Sequence, residues 1–372
     1  MIDDAIREHS TDPDRNAALA EWKENGGKAV GYFCAKVPAE IIYAAGILPI
    51  RLLGNRESVR DMAQYFTVYG CYYAKSLFEA ALQGKYDLLD GQVFSYDCDC
   101  MRFLATMWQK VLNPNYFYFL NNPHSTSAEG AEIFFVKELQ DFWQNLLDYA
   151  GVKPGQDALE ESIRIYNQLR ECYRRIEALR FDGKMTGTEA AQLAMYGQTV
   201  PPAQAVEVLT RVISEGNFSL PAEGPRLMMV GSEHPDTEFY HLLESMQTHV
   251  ITDDCCTVGR TAQGPVEIID QDPFLSLSHH YLIEQAQCPY MTSEGRFEQR
   301  RDELLDNVKK HKVDGVVFTI QRFCDPHQLD YPDLNSALED QGIPTLLIET
   351  EQTVDIEPIK NRLNAFIEII KQ

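Results

Sequence analysis

Two parts of the chain alternate short apolar runs with stretches of helical period, and a third part between them is helical throughout. In the first part, Ala29–Phe33 (AVGYF) predicts a strand, and PAEIIYAA, opened by Pro38 and stopped at Gly46, predicts a helix. Leu48–Leu53 predicts a second strand, the segment around Tyr72–Leu82 a helix, Asp90–Ser95 a strand, Met101–Lys110 a helix and Tyr116–Leu120 a strand. From about Ser127 to Gly216 the apolar residues recur at helical spacing in FFVKELQDFWQNLLDYA, ALEESIRIYNQLRECYRRIEALR and AVEVLTRVI, with breaks at Val152–Gly155 and Pro201–Pro202. Alternation then resumes. Arg226–Val230, His249–Thr252, Gly315–Ile320 and Pro344–Ile348 read as strands; Thr237–Gln247, Phe274–Gln287, Glu294–Lys310, Leu329–Gln341 and Ile359–Ile370 read as helices. Such βα alternation favours largely parallel sheets. The expected fold is α/β: an N-terminal α/β domain over 1–125, a helical segment over 126–220 and a C-terminal α/β domain over 221–372. The likeness between the two α/β parts is too weak to establish a repeat.

Composition narrows the function. The 372 residues are 44% hydrophobic and 24% charged, which is enough apolar material for packed cores, and the formal net charge is −23. An anionic surface repels a phosphate backbone and anionic membranes, so neither nucleic acid nor membrane is an expected partner. No apolar run approaches the ~18–20 residues that span a bilayer, and the charged start MIDDAIREHSTDPDR lacks the apolar centre of a signal peptide. The expected location is cytoplasmic.

Nine cysteines stand out in the composition. In a reducing compartment they are expected as thiols, metal ligands or catalysts rather than disulfides. Ligands of open α/β sheets collect outside the carboxyl ends of the strands, and thiols recur there. Cys34 follows AVGYF, Cys98 follows GQVFS, Cys255 and Cys256 follow HVIT, and Cys324 closes GVVFTIQRF; Cys71 opens a helix and Cys288 follows another. Cys34, Cys98 and Cys324 also precede predicted helix starts, where a thiolate is favoured. Either these are small buried hydrophobes, or they share a metal or redox site; a sulfur-rich, histidine-poor donor set then favours iron–sulfur over catalytic zinc. Cys172, within RECYRRI, reads as structural, and Asp253-Asp254 either cap a helix or tune a nearby site. The chain contains no GxxxxGK[ST], no strand-borne GxGxxG and no GxSxG.

The segments GYFCAKVPAEIIYAAGILPIRLLG, the Cys71 helix, the strand ending in Cys98-Asp99, DDCCTVGR, VDGVVFTIQRFCDPHQLDYPDL and GIPTLLIETE occur in an order that resembles the 2-hydroxyacyl-CoA dehydratase and benzoyl-CoA reductase subunits. The resemblance runs from about residue 28 to the C-terminus. It implies two Rossmann-like, flavodoxin-like domains with a 4Fe-4S cluster in the cleft between them, held by Cys71, Cys98 and Cys324. It also implies Cys34 as a further ligand or substrate-side catalytic group. Glu40 is a second catalytic candidate; Glu40 and Asp99, beside the predicted ligands, either support the site or simply cap helices. The implied partners are a related second subunit, an acyl-CoA substrate and a separate ATP-hydrolysing iron–sulfur activator. Lowering a one-electron couple from about −400 to about −700 mV costs on the order of 7 kcal/mol, which is why ATP hydrolysis in a partner is required. A branch of the same family, the double-cubane cluster proteins, is one alternative: Cys34, Cys256 and Cys288 would then join the other three around an 8Fe-9S cluster in a homodimer that reduces small molecules. A non-catalytic electron-relay subunit, with the substrate chemistry on its partner, is the other. Cys100 matches neither pattern. Near the C-terminus, Arg362, Ala365 and Phe366 are kept, but IEPIK replaces the Gly-Gln step expected upstream.

Overall fold

The computed structural model describes residue 6 and residues 9–67, 69–155, 157–221, 223–284, 288–291, 293–351 and 356–372. The first unit runs α1 (Ala17–Glu24), β1 (Lys28–Tyr32), α2 (Ala39–Ala44), β2 (Ile47–Arg51), α3 (Tyr72–Leu82), β3 (Gly91–Ser95), α4 (Asp99–Val111) and β4 (Tyr116–Leu120). Four helices follow: α5 (Ala131–Ala150), α6 (Ala158–Phe181), α7 (Gly187–Gly197) and α8 (Pro202–Glu215). The second unit runs β5 (Arg226–Gly231), α9 (Glu238–Ser245), β6 (His249–Cys255), α10 (Pro273–His279), α11 (Arg296–Lys310), β7 (Gly315–Gln321), α12 (Asp325–Glu339), β8 (Thr345–Thr350) and α13 (Ile356–Ile370).

The strands form two four-stranded sheets, ordered β2-β1-β3-β4 and β6-β5-β7-β8, with every pairing parallel. The fold is therefore α/β with two Rossmann-like domains, as the periodicity and the resemblance imply. Counted within its own unit, each sheet has the order 2-1-3-4. That is a flavodoxin-like order, which opens a crevice at the carboxyl ends of its two central strands.

Strand alternation shows why both faces of each sheet are covered. In β1, Ala29 packs with Leu77, Leu104 and Trp108 of α3 and α4, whereas Val30 and Tyr32 pack with Ile41, Phe135 and Leu139 of α2 and α5. In β7, Val316, Phe318 and Ile320 face Leu304, Val308, Leu334 and Leu338, and Val317 faces the core that contains Leu193, Leu243 and Leu363. Close backbone approach is needed at Gly231, the last residue of β5, where a Cβ would lie 2.0 Å from the Thr319 carbonyl oxygen.

Three of the differences from the sequence expectation have a local physical reason. Strand β6 continues through Asp253 and Asp254 to Cys255 because both carboxylates find arginine partners. The helix expected over Phe274–Gln287 is α10 followed by a π-helical turn, His280–Glu284; residues 285–287 lie outside the described residues. Helix α7 (GTEAAQLAMYG) is almost entirely buried, so no polar face marks its period in the sequence; a capping box at Thr186 and Glu189 starts it.

Candidate functional site

The crevices of the two units open onto one cavity. Its walls carry six thiols: Cys34, Cys71 and Cys98 from the first unit, and Cys256, Cys288 and Cys324 from the second. Among the described residues, no three His, Cys, Asp or Glu side chains are grouped to hold a single ion. The thiols ring a space rather than a point.

Local structure places each sulfur. Cys71, Cys98 and Cys324 are the N-cap residues of α3, α4 and α12, so three helix N-termini point their partial positive charge at the same cavity. The Cys98 sulfur accepts from the Met101 amide at 3.4 Å. Phe323, immediately before Cys324, adopts φ 65°, a left-handed conformation rare for a bulky side chain; it turns the chain from β7 into the cap, and its ring meets Tyr69 edge-on at 5.7 Å. Cys34 lies two residues past β1. Cys256 lies one residue past β6, in a turn tied by the Asp253 carboxylate, which accepts from the Cys255 and Gly259 amides at 3.1 and 2.7 Å.

Charged and amide side chains fasten the two units at the cavity. Arg51, at the end of β2, donates to Glu233 at 2.6 Å and to the Cys256 carbonyl at 2.9 Å, and it also bonds the Gln198 side chain. Gln321 accepts from the Tyr73 amide at 2.8 Å and donates to the Glu233 carbonyl at 2.7 Å, joining β7, α3 and the end of β5. Arg260 donates to the Cys256 sulfur at 2.8 Å and to Asp254 at 2.7 Å. Asp97 is bonded by Ser95, by the Asn122 amide at 3.1 Å and by the Cys34 thiol.

The interior resists uncompensated thiolates. Burial pushes the Cys34 thiol well up, and Asp97, Cys288, Cys256 and Glu233 push it the same way. Burial raises Cys98 and Cys324 as well, and raises Cys256 to about 12 although Arg260 pulls it down. Cys71 is the exception: the neighbouring Cys100 thiol, 3.9 Å away, holds it below its ordinary value. A cationic guest would reverse this cost for the whole ring at once.

The other sequence candidates lie elsewhere. Glu40 is fully buried and closed into an ion pair with Arg170, its second oxygen accepting from Tyr281 at 2.8 Å, and it does not line the thiol cavity. Asp99 is exposed in the first turn of α4 and accepts from the Tyr96 hydroxyl at 3.3 Å. Cys100 sits behind Cys71, off the cavity wall. Cys172 is buried in α6 with its sulfur 3.6 Å from the Thr210 hydroxyl, and Cys255 is fully buried in a core. Asp253 and Asp254 cap no helix; Asp253 pairs with Arg180, and Asp254 with Arg260 and Arg300. Sequence reasoning did not find Arg51, Asp97, Glu233, Arg260 or Gln321. Only Arg260 carried a local signal, at four residues from Cys256 in DDCCTVGR.

Among the described residues, no helix is long and apolar enough to cross a membrane. Comparison with known proteins matches residues 34–370 to the family described as "2-hydroxyglutaryl-CoA dehydratase, D-component". A benzoyl-CoA reductase subunit of Thauera aromatica is 25% identical over 369 residues, covering 95% of this chain and 94% of its own length. The lactoyl-CoA dehydratase beta subunit of Anaerotignum propionicum is 26% identical over 362 residues, covering 95% of each. The (R)-phenyllactyl-CoA dehydratase beta subunit of Clostridium sporogenes is 23% identical over 357 residues, covering 95% and 94%. These relatives are subunits of acyl-CoA lyases and oxidoreductases, and this chain belongs to the 2-hydroxyglutaryl-CoA dehydratase D-component family.

Proposed function

We propose that this chain is a low-potential iron–sulfur reductase in which Cys34, Cys71, Cys98, Cys256, Cys288 and Cys324 together hold an 8Fe-9S double-cubane cluster. The observation that carries this reading is the convergence of six thiols, three from each unit, on one cavity. A 4Fe-4S cluster on Cys71, Cys98 and Cys324 alone would leave the other three sulfurs lining the cavity without a role. The donor set suits iron–sulfur ligation: six thiols, and helix N-termini that favour the thiolate charge. When bound, the cluster supplies one-electron reduction. The protein's own part is to fix the six sulfurs, to set the charge around them and to close the cleft through Arg51, Glu233 and Gln321. The partners in this reading are a second copy of the chain, a separate ATP-hydrolysing iron–sulfur activator as electron donor, and a small-molecule substrate.

A second reading is a 4Fe-4S subunit of an acyl-CoA reductase or dehydratase, working beside a related subunit on a CoA thioester. Two observations favour it: the three N-capping cysteines form a set of their own, and the relatives are named for acyl-CoA enzymes.

The single variants Cys34→Ala, Cys256→Ala and Cys288→Ala separate the two readings after anaerobic reconstitution. Loss of roughly half or more of the bound iron in each supports the six-thiol site. Iron content unchanged in all three, with loss in Cys324→Ala, supports the acyl-CoA reading instead.

A further inference from the structure

The cavity is electrically lopsided. At the Cys256 end a guanidinium touches sulfur: Arg260 Nη1 lies 2.8 Å from Cys256 Sγ, and Arg260 is itself only 7% exposed. That side chain is held from behind. Its Nε donates to Asp254 at 2.7 Å; the second Asp254 oxygen accepts from Arg300 at 2.6 Å, and Arg300 donates to Asp330 at 2.7 Å. Two arginines and two carboxylates thus form a chain that ends on one ligand sulfur, and neighbouring His327 lies 3.9 Å from the same atom. At the Cys34 end the group bonded to the sulfur is the opposite one, the Asp97 carboxylate, held by Ser95 and Asn122, with the buried Lys36 ammonium in the same neighbourhood. The donor on Cys98, by contrast, is a neutral amide at 3.4 Å.

A cationic donor on a thiolate is about twice as strong as a neutral one and withdraws charge from the sulfur, which favours the more negative, reduced state of whatever the sulfur binds. A carboxylate beside a thiolate does the reverse. Resting on the iron–sulfur reading above, we infer that Arg260 is a positioning residue that fixes Cys256 and raises the potential of the Cys256 side of the site. Asp97 lowers the potential of the Cys34 side. An electron entering the site is therefore held towards Cys256, and the Arg260–Asp254–Arg300–Asp330 chain sets how strongly.

The test is an EPR-monitored redox titration of the anaerobically reconstituted full chain, with iron content measured on the same samples. In Arg260→Gln, iron is retained and the ratio of reduced to oxidised site at a given potential falls about tenfold, equivalent to 59 mV for one electron. Arg260→Lys, which keeps the charge without the fork, shifts less. Asp97→Asn moves the ratio the opposite way. Iron-loaded Arg260→Gln titrating at the wild-type potential overturns the inference. Should Arg260→Gln fail to hold iron, an unshifted Asp97→Asn overturns it. A wild-type chain that takes up no iron fails the iron–sulfur reading itself, a result distinct from either of these.

Discussion

Glu40 and Arg170 meet where neither side chain is wetted, and Tyr281 contributes its hydroxyl to the pair. The Glu40 backbone carbonyl accepts from Ser162 at 2.7 Å, so the same residue pins α2 to α6. Removing one partner leaves the other charge buried and uncompensated, which costs about 3–5 kcal/mol. Arg170→Met and Glu40→Gln are each expected to lower the unfolding free energy obtained from urea titration by about that margin, since each leaves one charge of the pair buried alone. Equal stability of Arg170→Met and wild type would show that the pair contributes nothing. At this scale the thiols were legible in the sequence, because cysteine is rare and its place after a strand can be read locally. The residues that act on the thiols were not. Arg51 meets Glu233 across 182 positions, and Gln321 meets the Tyr73 amide across 248, and no local pattern announces such pairs.

The elements around the cavity work as holders of single atoms. Three helices begin on a cysteine of the cavity wall, and the β6 turn presents Cys256 because Asp253 ties both the Cys255 and the Gly259 amides. Gly259 is required in that turn: a Cβ there would stand 2.0 Å from the Asp253 carbonyl oxygen and 2.7 Å from its carboxylate. Gly259→Ala is expected to destabilise the fold by about 1–3 kcal/mol, as overpacking does, and to weaken iron retention, because the shifted turn carries both Cys256 and Arg260. Thermal melts and iron assays on one preparation check both effects; an unchanged variant would mean that the turn relaxes freely. All eight strands found among the described residues were legible, since each is a short apolar run between turn signals. Helix α7 was not, because a helix buried on every side has no polar stripe to show its period. Helix α1 (Ala17–Glu24), capped by Asn16, was not singled out either; Leu19 and Trp22 are its only large apolar residues.

Across the whole molecule, one arrangement occurs twice. Both sheets have the order 2-1-3-4 within their own unit, and the helix after the third strand of each begins on a cysteine, Cys98 or Cys324. Each unit supplies three thiols to the shared cavity. The sequence left this repeat unclaimed because strands buried on both faces converge on the same apolar residues whatever their origin, and so carry little trace of kinship. The cavity, too, appears only when the units face each other: Cys34 and Cys288 are far apart in the chain and meet through packing alone. The most direct test of the account is the amount of iron and acid-labile sulfide per chain after anaerobic reconstitution. The six-thiol site predicts about eight irons and nine sulfides. Four irons would contradict it in favour of a three-cysteine cluster, and no iron would mean that the thiols serve as packing.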